Sequence, residues 1–85
     1  MPLELLYFAW VRERMGQRGE RVDVPAAVAT AANLVHWLGA RDAAGAAAFA
    51  DPSRICVAVD GVMAALDTPL AGAREVALFP PVTGG

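Results

Sequence analysis

Few residues in this 85-residue chain carry chemistry, and their scarcity narrows what it can do. There is one histidine, His36, and one cysteine, Cys56. A single cysteine excludes an internal disulfide and a thiolate metal cluster. A single histidine leaves no workable zinc constellation, so no metal and no permanently bound cofactor are expected. No Gly-rich phosphate loop ending in Gly-Lys is present, and no Ser-His-Asp arrangement can be traced. Cys56, between Ile55 and Val57, reads as an ordinary strand cysteine, and His36, beside Trp37, as a surface or core-edge residue. Arg12, Glu13 and Arg14 read as a solvated turn, although an arginine there has the geometry to orient a carboxylate. All seven basic residues are arginine. Without lysine there is no internal Schiff base and no side-chain amine to which another protein can be ligated.

The remaining candidate is the end of the chain, "FPPVTGG" (79–85). Residues 80–85 span up to ~20 Å when extended. Gly84 and Gly85 permit close approaches that no other residue allows. Pro80 and Pro81 stiffen the root, which lowers the cost of ordering the segment, about 1–2 kcal/mol per residue. Such an arm is shaped to thread a narrow channel and present its terminal carboxylate to another protein. With a pKa of about 3.5 that carboxylate is ionised at neutral pH and a poor electrophile, so it needs activation, ordinarily as an acyl-adenylate. On "GG" alone, an end without a task is an equally good reading.

The elements that must position this arm follow from periodicity. "PLELLYFAW" (2–10) has the length and composition of a strand. Alternation puts Leu3, Leu5, Tyr7 and Ala9 toward the core and Glu4, Leu6, Phe8 and Trp10 on the other face. "VRERMG" reads as a helical turn or loop closed by Gly16. "ERVDVP" (20–25) is a half-buried strand, antiparallel to the first. "TAANLVHWLGARD" (30–42) is the clearest helix, capped by Thr30, with Leu34 and Leu38 on one stripe. Asn33 stands where a capping box wants Glu or Gln, and Gly39 marks an end or weak point. The alanine-rich stretch 43–54 reads as a second short helix containing Gly45, a poor helix former. "ICVAVDG" (55–61) points Ile55, Val57 and Val59 inward, and Asp60-Gly61 signals a hairpin into "VMAAL" (62–66). Turn chemistry follows, with a 3₁₀ segment expected near Leu70. In "REVALF" (74–79) Val76 and Leu78 face in, Ala77 and Phe79 out, and Pro80 ends the strand. Strands at both ends of the chain around one main helix predict an α+β sheet with the helix across one face.

Composition agrees with a single small domain. Apolar residues make up 56%, inflated by nineteen alanines. No apolar run approaches the roughly 20 residues needed to cross a bilayer, and no secretory leader is visible. A cytoplasmic domain with no membrane attachment is expected. A net charge of −2 without a basic footprint argues against nucleic acid as a partner.

The ending "PLAGAREVALFPPVTGG" resembles the C-terminus of the molybdopterin synthase small-subunit family, the sulfur carriers of molybdenum-cofactor biosynthesis. "LLYFAWVRERMG", "TAANLVHWL" and "VAVDGVMAALDTPL" resemble that family's opening strand and turn, main helix, and third and fourth strands. The resemblance implies a ubiquitin-like β-grasp domain over 1–79, with a mixed sheet of about five strands. It implies a flexible tail of Pro80, Pro81, Val82, Thr83, Gly84 and Gly85. An ATP-dependent activating enzyme would adenylate Gly85, and a persulfide-derived sulfur would convert it to a thiocarboxylate (1-thioglycine). The tail would then enter the large synthase subunit and pass sulfur to cyclic pyranopterin monophosphate, forming the dithiolene. The complex implied is a heterotetramer of two large and two small subunits, in which the small subunit is not catalytic on its own. Phe8, Met63 and Phe79 match the family's apolar docking patch. Arg12 matches the arginine of its "VRE" turn. The sequence departs from the family at "AGARE" (71–75), which is often more acidic, and at Asp60, where Asn is common. Three alternatives share the fold: a thiamine-pathway sulfur carrier, a ubiquitin-like modifier conjugated through the same glycine, and a plain binding module.

Overall fold

The computed structural model describes residues 1–81. In chain order the elements are β1 (Pro2–Tyr7), α1 (Ala9–Met15), β2 (Gly19–Asp23), α2 (Ala31–Arg41) and α3 (Ala43–Ala48). A 3₁₀ turn (Pro52–Arg54) follows, then β3 (Cys56–Val59), β4 (Val62–Ala64) and β5 (Glu75–Phe79). The five strands form one mixed sheet in the order β2-β1-β5-β3-β4. The β1–β2 and β3–β4 hairpins are antiparallel, β5 is antiparallel to β3, and β1 and β5 run parallel at the centre.

The period-two pattern of β1 explains its place. Leu3, Leu5 and Tyr7 are buried, and β5 contributes Val76 and Leu78 to the same face. Against them α2 lays Ala31, Leu34, Val35 and Leu38, all fully buried. A single core therefore lies between one sheet face and the helices. Three α-helices surround it rather than one main helix, because the connection after β1 and the alanine-rich stretch both form helix.

Several local expectations are corrected. Ala9 does not continue β1. Its φ of 52° reverses the chain into α1, so Ala9 is exposed and Trp10 belongs to that helix. A small residue limits, without abolishing, the cost of the left-handed region. Gly39 does not end α2, which runs to Arg41. Asn33 completes the capping box after all: its backbone N–H donates to Thr30 Oγ1 (3.2 Å), while its Oδ1 accepts from the Thr30 N–H (3.2 Å). The 3₁₀ turn falls at Pro52–Arg54, not near Leu70. Leu70 is instead a buried loop residue whose N–H donates to the Ala29 carbonyl (2.9 Å). Strand β4 stops at Ala64, and Val59 is only half-buried. The Asp60-Gly61 turn is as expected, with both residues at positive φ (50° and 81°). The Asp60 carboxylate accepts from the N–H groups of Arg74 (2.9 Å) and Glu75 (3.0 Å), tying the hairpin to the start of β5.

One polar network joins three elements far apart in the chain. Arg41, at the end of α2, donates to both oxygens of Glu20 on β2 (2.9 and 2.7 Å), and Glu20 Oε2 also accepts from the Tyr7 hydroxyl (2.7 Å). The Arg41 hydrogen bonds, foremost, hold the Glu20 carboxyl below the usual carboxylate range. Burial first, then the Glu20 hydrogen bond, pushes the Tyr7 phenol up. A carboxylate lowered on folding contributes stability that is complete above its unfolded value, about 4.3, and lost as pH falls through its folded value. Thermal melting of Glu20→Gln is therefore expected to lose part of the acid-side slope seen in the wild type below about pH 4.3. Equal slopes would assign that acid lability to other carboxylates.

Candidate functional site

The strand that ends at the tail lies at the centre of the sheet. Parallel pairing sets Tyr7 beside Leu78, antiparallel pairing sets Cys56 beside Phe79, and the Phe8 N–H donates to the Leu78 carbonyl (3.1 Å). Pro80 and Pro81 follow, half-buried and exposed respectively. The root of the tail is thus held on both sides by ladder hydrogen bonds, which stop where proline cannot donate. Val82, Thr83, Gly84 and Gly85 lie outside the described residues.

The sheet face away from the helices is open, and register decides what it displays. The row Leu6, Ala77, Ala58 and Met63 crosses β1, β5, β3 and β4. The next row toward the tail pairs Phe79 with Cys56, and the extended backbone at Phe8 continues β1's alternation onto the same face. Phe8 and Met63 are 49% and 65% exposed on this face. Phe79 is half-buried, so it floors the patch rather than projecting from it. The three patch residues predicted from sequence therefore share one face next to the tail root. Val62, 68% exposed on edge strand β4, pairs with Val59 and so lies on the opposite, helix-side face of the sheet from Met63. Arg12 is exposed on α1, whose first turn begins at the same end of β1.

Trp10 lies half-buried against the core at this end, with the guanidinium groups of Arg14 and Arg54 over its ring at 4.4 and 5.6 Å. His36 is exposed on α2 and Cys56 half-buried on the open face. Among the described residues, no three His, Cys, Asp or Glu side chains gather as a metal site would require. A cleft of about 460 Å³ is lined by residues 1–4, Arg21 and residues 72–74, at the opposite end of the sheet from Phe79. This surface combines a sheet face carrying exposed apolar side chains with the strand end that leads into the chain terminus.

Residues 5–85, which include both terminal glycines, match the ThiS family. The chain belongs to the ThiS family. It is 36% identical over 83 residues to the molybdopterin synthase sulfur carrier subunit of Escherichia coli (strain K12), covering 98% of this chain and 99% of that one. Among solved structures it is similar to SAMP1 from Haloferax volcanii, at 32% identity and a TM-score of 0.72 over the whole of both chains. It is also similar to H. volcanii small archaeal modifier protein 1, at 30% identity and a TM-score of 0.63, covering 95% of this chain and 98% of that one. The fold of this ThiS-family chain is the ubiquitin-like β-grasp, with more helix than the sequence suggested. No described helix is long and apolar enough to cross a membrane.

Proposed function

We propose that this chain is a sulfur carrier and the small subunit of a molybdopterin synthase, working through the carboxylate of Gly85. The observation that carries the reading is the end-to-end similarity to a molybdopterin synthase sulfur carrier subunit, in a family match that runs through Gly85. The carboxylate attacks the α-phosphorus of ATP on an activating enzyme, releasing pyrophosphate. The outer sulfur of a persulfide then attacks the acyl carbon and displaces AMP, and a thiol on the sulfur-supplying side cleaves the resulting S–S bond, leaving a thiocarboxylate on Gly85 and a disulfide on the donor. Sulfur is a soft nucleophile, and two slim glycines carry it into the large subunit, where cyclic pyranopterin monophosphate accepts it. Two loaded carriers serve each dithiolene, consistent with a heterotetramer of two large and two small subunits. No resident cofactor is required; ATP is consumed by the activating enzyme. The chain's own residues build a rigid domain, hold the tail root, and offer Phe8, Met63 and Phe79 as the docking face, with Arg12 beside it.

The decisive measurement is intact mass after incubation with activating enzyme, ATP and a sulfur source. The expected product has one oxygen replaced by sulfur at the C-terminus. A chain unchanged in mass, with an enzyme shown to be active on another carrier, would overturn the reading. Docking is tested separately by Met63→Asp. This exposed position should tolerate the change within about 0.5 kcal/mol of stability, while affinity for the large subunit falls at least about tenfold. Unchanged affinity would move the docking face elsewhere.

A second reading is favoured by the similarity to a small archaeal modifier protein. In it the same activated glycine forms isopeptide bonds with other proteins. Adducts of higher mass that carry this chain in a lysate, and persist after reduction, would support it. A thiocarboxylate without adducts supports the carrier.

A further inference from the structure

The chain puts positive charge around its tail root entirely with guanidinium groups. Arg54 precedes Cys56, the register partner of Phe79, by two residues, so it stands alongside the tail root. Arg14 shares the Trp10 ring with it (4.4 and 5.6 Å), and Arg12 is exposed on the same helix as Arg14. All three are exposed. Five residues of extended chain measure up to ~17 Å, a length sufficient to bring an activated Gly85 carboxyl group back to groups around this root.

An acyl-adenylate or thioester is attacked by any unprotonated amine it meets. Lysine, with a pKa of about 10.4, keeps a small unprotonated fraction near neutrality, and tethering gives it a local concentration in the millimolar range. Arginine stays protonated and offers no lone pair. The sequence contains no lysine at any position. The α-amino group of Met1 lies at the far end of β1 from the tail root, donating to Asp23 Oδ1 (2.6 Å) and the Val24 carbonyl (3.2 Å).

Resting on the carrier reading, we propose that the arginine-only surface at the tail root protects the activated C-terminus from acylating its own carrier. Positive charge stands at positions 12, 14 and 54 without a nucleophilic amine. The reaction avoided is attack of an amine nitrogen on the Gly85 acyl carbon: a C–N bond forms, AMP or a thiolate leaves, and the amine's proton passes to solvent. That amide is irreversible under these conditions, and each one removes a carrier from use.

The test requires no partner enzyme. The full chain is prepared with its C-terminus as a 2-mercaptoethanesulfonate thioester, as wild type, Arg14→Lys and Arg54→Lys. Incubation at about pH 9, where a few per cent of lysine amines are unprotonated, is followed by intact mass. Hydroxylamine trapping confirms that each thioester is reactive, and thermal melting confirms that each variant is folded. The wild type is expected to decay to the free acid alone. Each variant is expected to form, in addition, an amide one water lighter than the acid, or an amide-linked dimer, at least about tenfold above wild type. Variants that only hydrolyse, or a wild type that forms as much amide as they do, would overturn the proposal. Because the thioester is installed chemically, failure of ATP-dependent sulfur loading leaves this result standing, and the two ideas fail separately.

Discussion

Deletion of Gly85 is expected to abolish sulfur loading completely while leaving the domain folded. Every buried apolar residue among those described lies at or before Leu78, so the core closes before the tail begins. Ladder hydrogen bonds hold the chain as far as Phe79. Removing one terminal residue should therefore change stability by no more than about 0.5 kcal/mol. The chemistry responds differently. The truncated chain still ends in a glycine carboxylate, Gly84, with the same intrinsic pKa and reactivity. What it loses is one residue of reach, about 3.5 Å. Near-attack geometry needs reacting atoms within about 3.5 Å, and a misplacement of 1 Å already costs on the order of a hundredfold. Intact mass should show no sulfur incorporation, and circular dichroism should show an unchanged melting curve. A truncated chain that still supports pterin conversion would remove Gly85 from the mechanism. Loss of the melting transition would mean that the tail also serves the fold.

Why part of this protein is legible from its residues and part is not can be seen at particular positions. Alternation in "LELLY" and "REVALF" reports burial directly, since a strand's side chains switch faces at each residue, and Leu3, Leu5, Tyr7, Val76 and Leu78 are buried as read. The same rule fails at Ala9, because a single residue at positive φ ends the strand with no change in hydropathy. Thr30 marks the start of its helix, and Asn33 serves where Glu or Gln is usual because its short amide still reaches the Thr30 N–H. The ion pair of Glu20 and Arg41 joins β2 to the end of α2, 21 positions apart, and no local pattern encodes such a contact. Phe8, Met63 and Phe79 come together only through the register of four strands. Alternation puts Phe8 and Phe79 on the outward face, the resemblance adds Met63, and sheet geometry supplies the reason all three share it. The task of the tail was never in its periodicity. It rested on what a bare carboxylate behind two glycines can and cannot do.

Gly45→Ala is where sequence logic and structure disagree on the sign of an effect. Within the helical segment "AAGAAA", alanine should stabilise by about 1 kcal/mol, because glycine carries the larger backbone entropy cost. The packing of α3 against α2 reverses this. Gly45 is buried, and a Cβ built on it would stand 1.9 Å from the Leu38 carbonyl oxygen and 3.2 Å from Asp42 Oδ1. The first clash is with backbone, so no rotamer change relieves it. Asp42 caps α3 by accepting from the Gly45 N–H (2.7 Å), and that bond pins the glycine where the crossing is tightest. To admit a methyl group α3 must move off α2, loosening Ala48 and Phe49, both buried. Overpacking of this kind costs about 1–3 kcal/mol in cores where side chains can adjust. Against a backbone oxygen the upper end applies, and the helix-propensity gain offsets only about 1 kcal/mol of it. Denaturant titration should give a net loss of about 2 kcal/mol, with the midpoint shifted and the slope unchanged. A gain in stability would mean that α3 is free to stand away from α2. In that case the alanine-rich segment would be a loosely attached cover rather than part of the packed domain that holds β3 and β5, and through them the root of the tail.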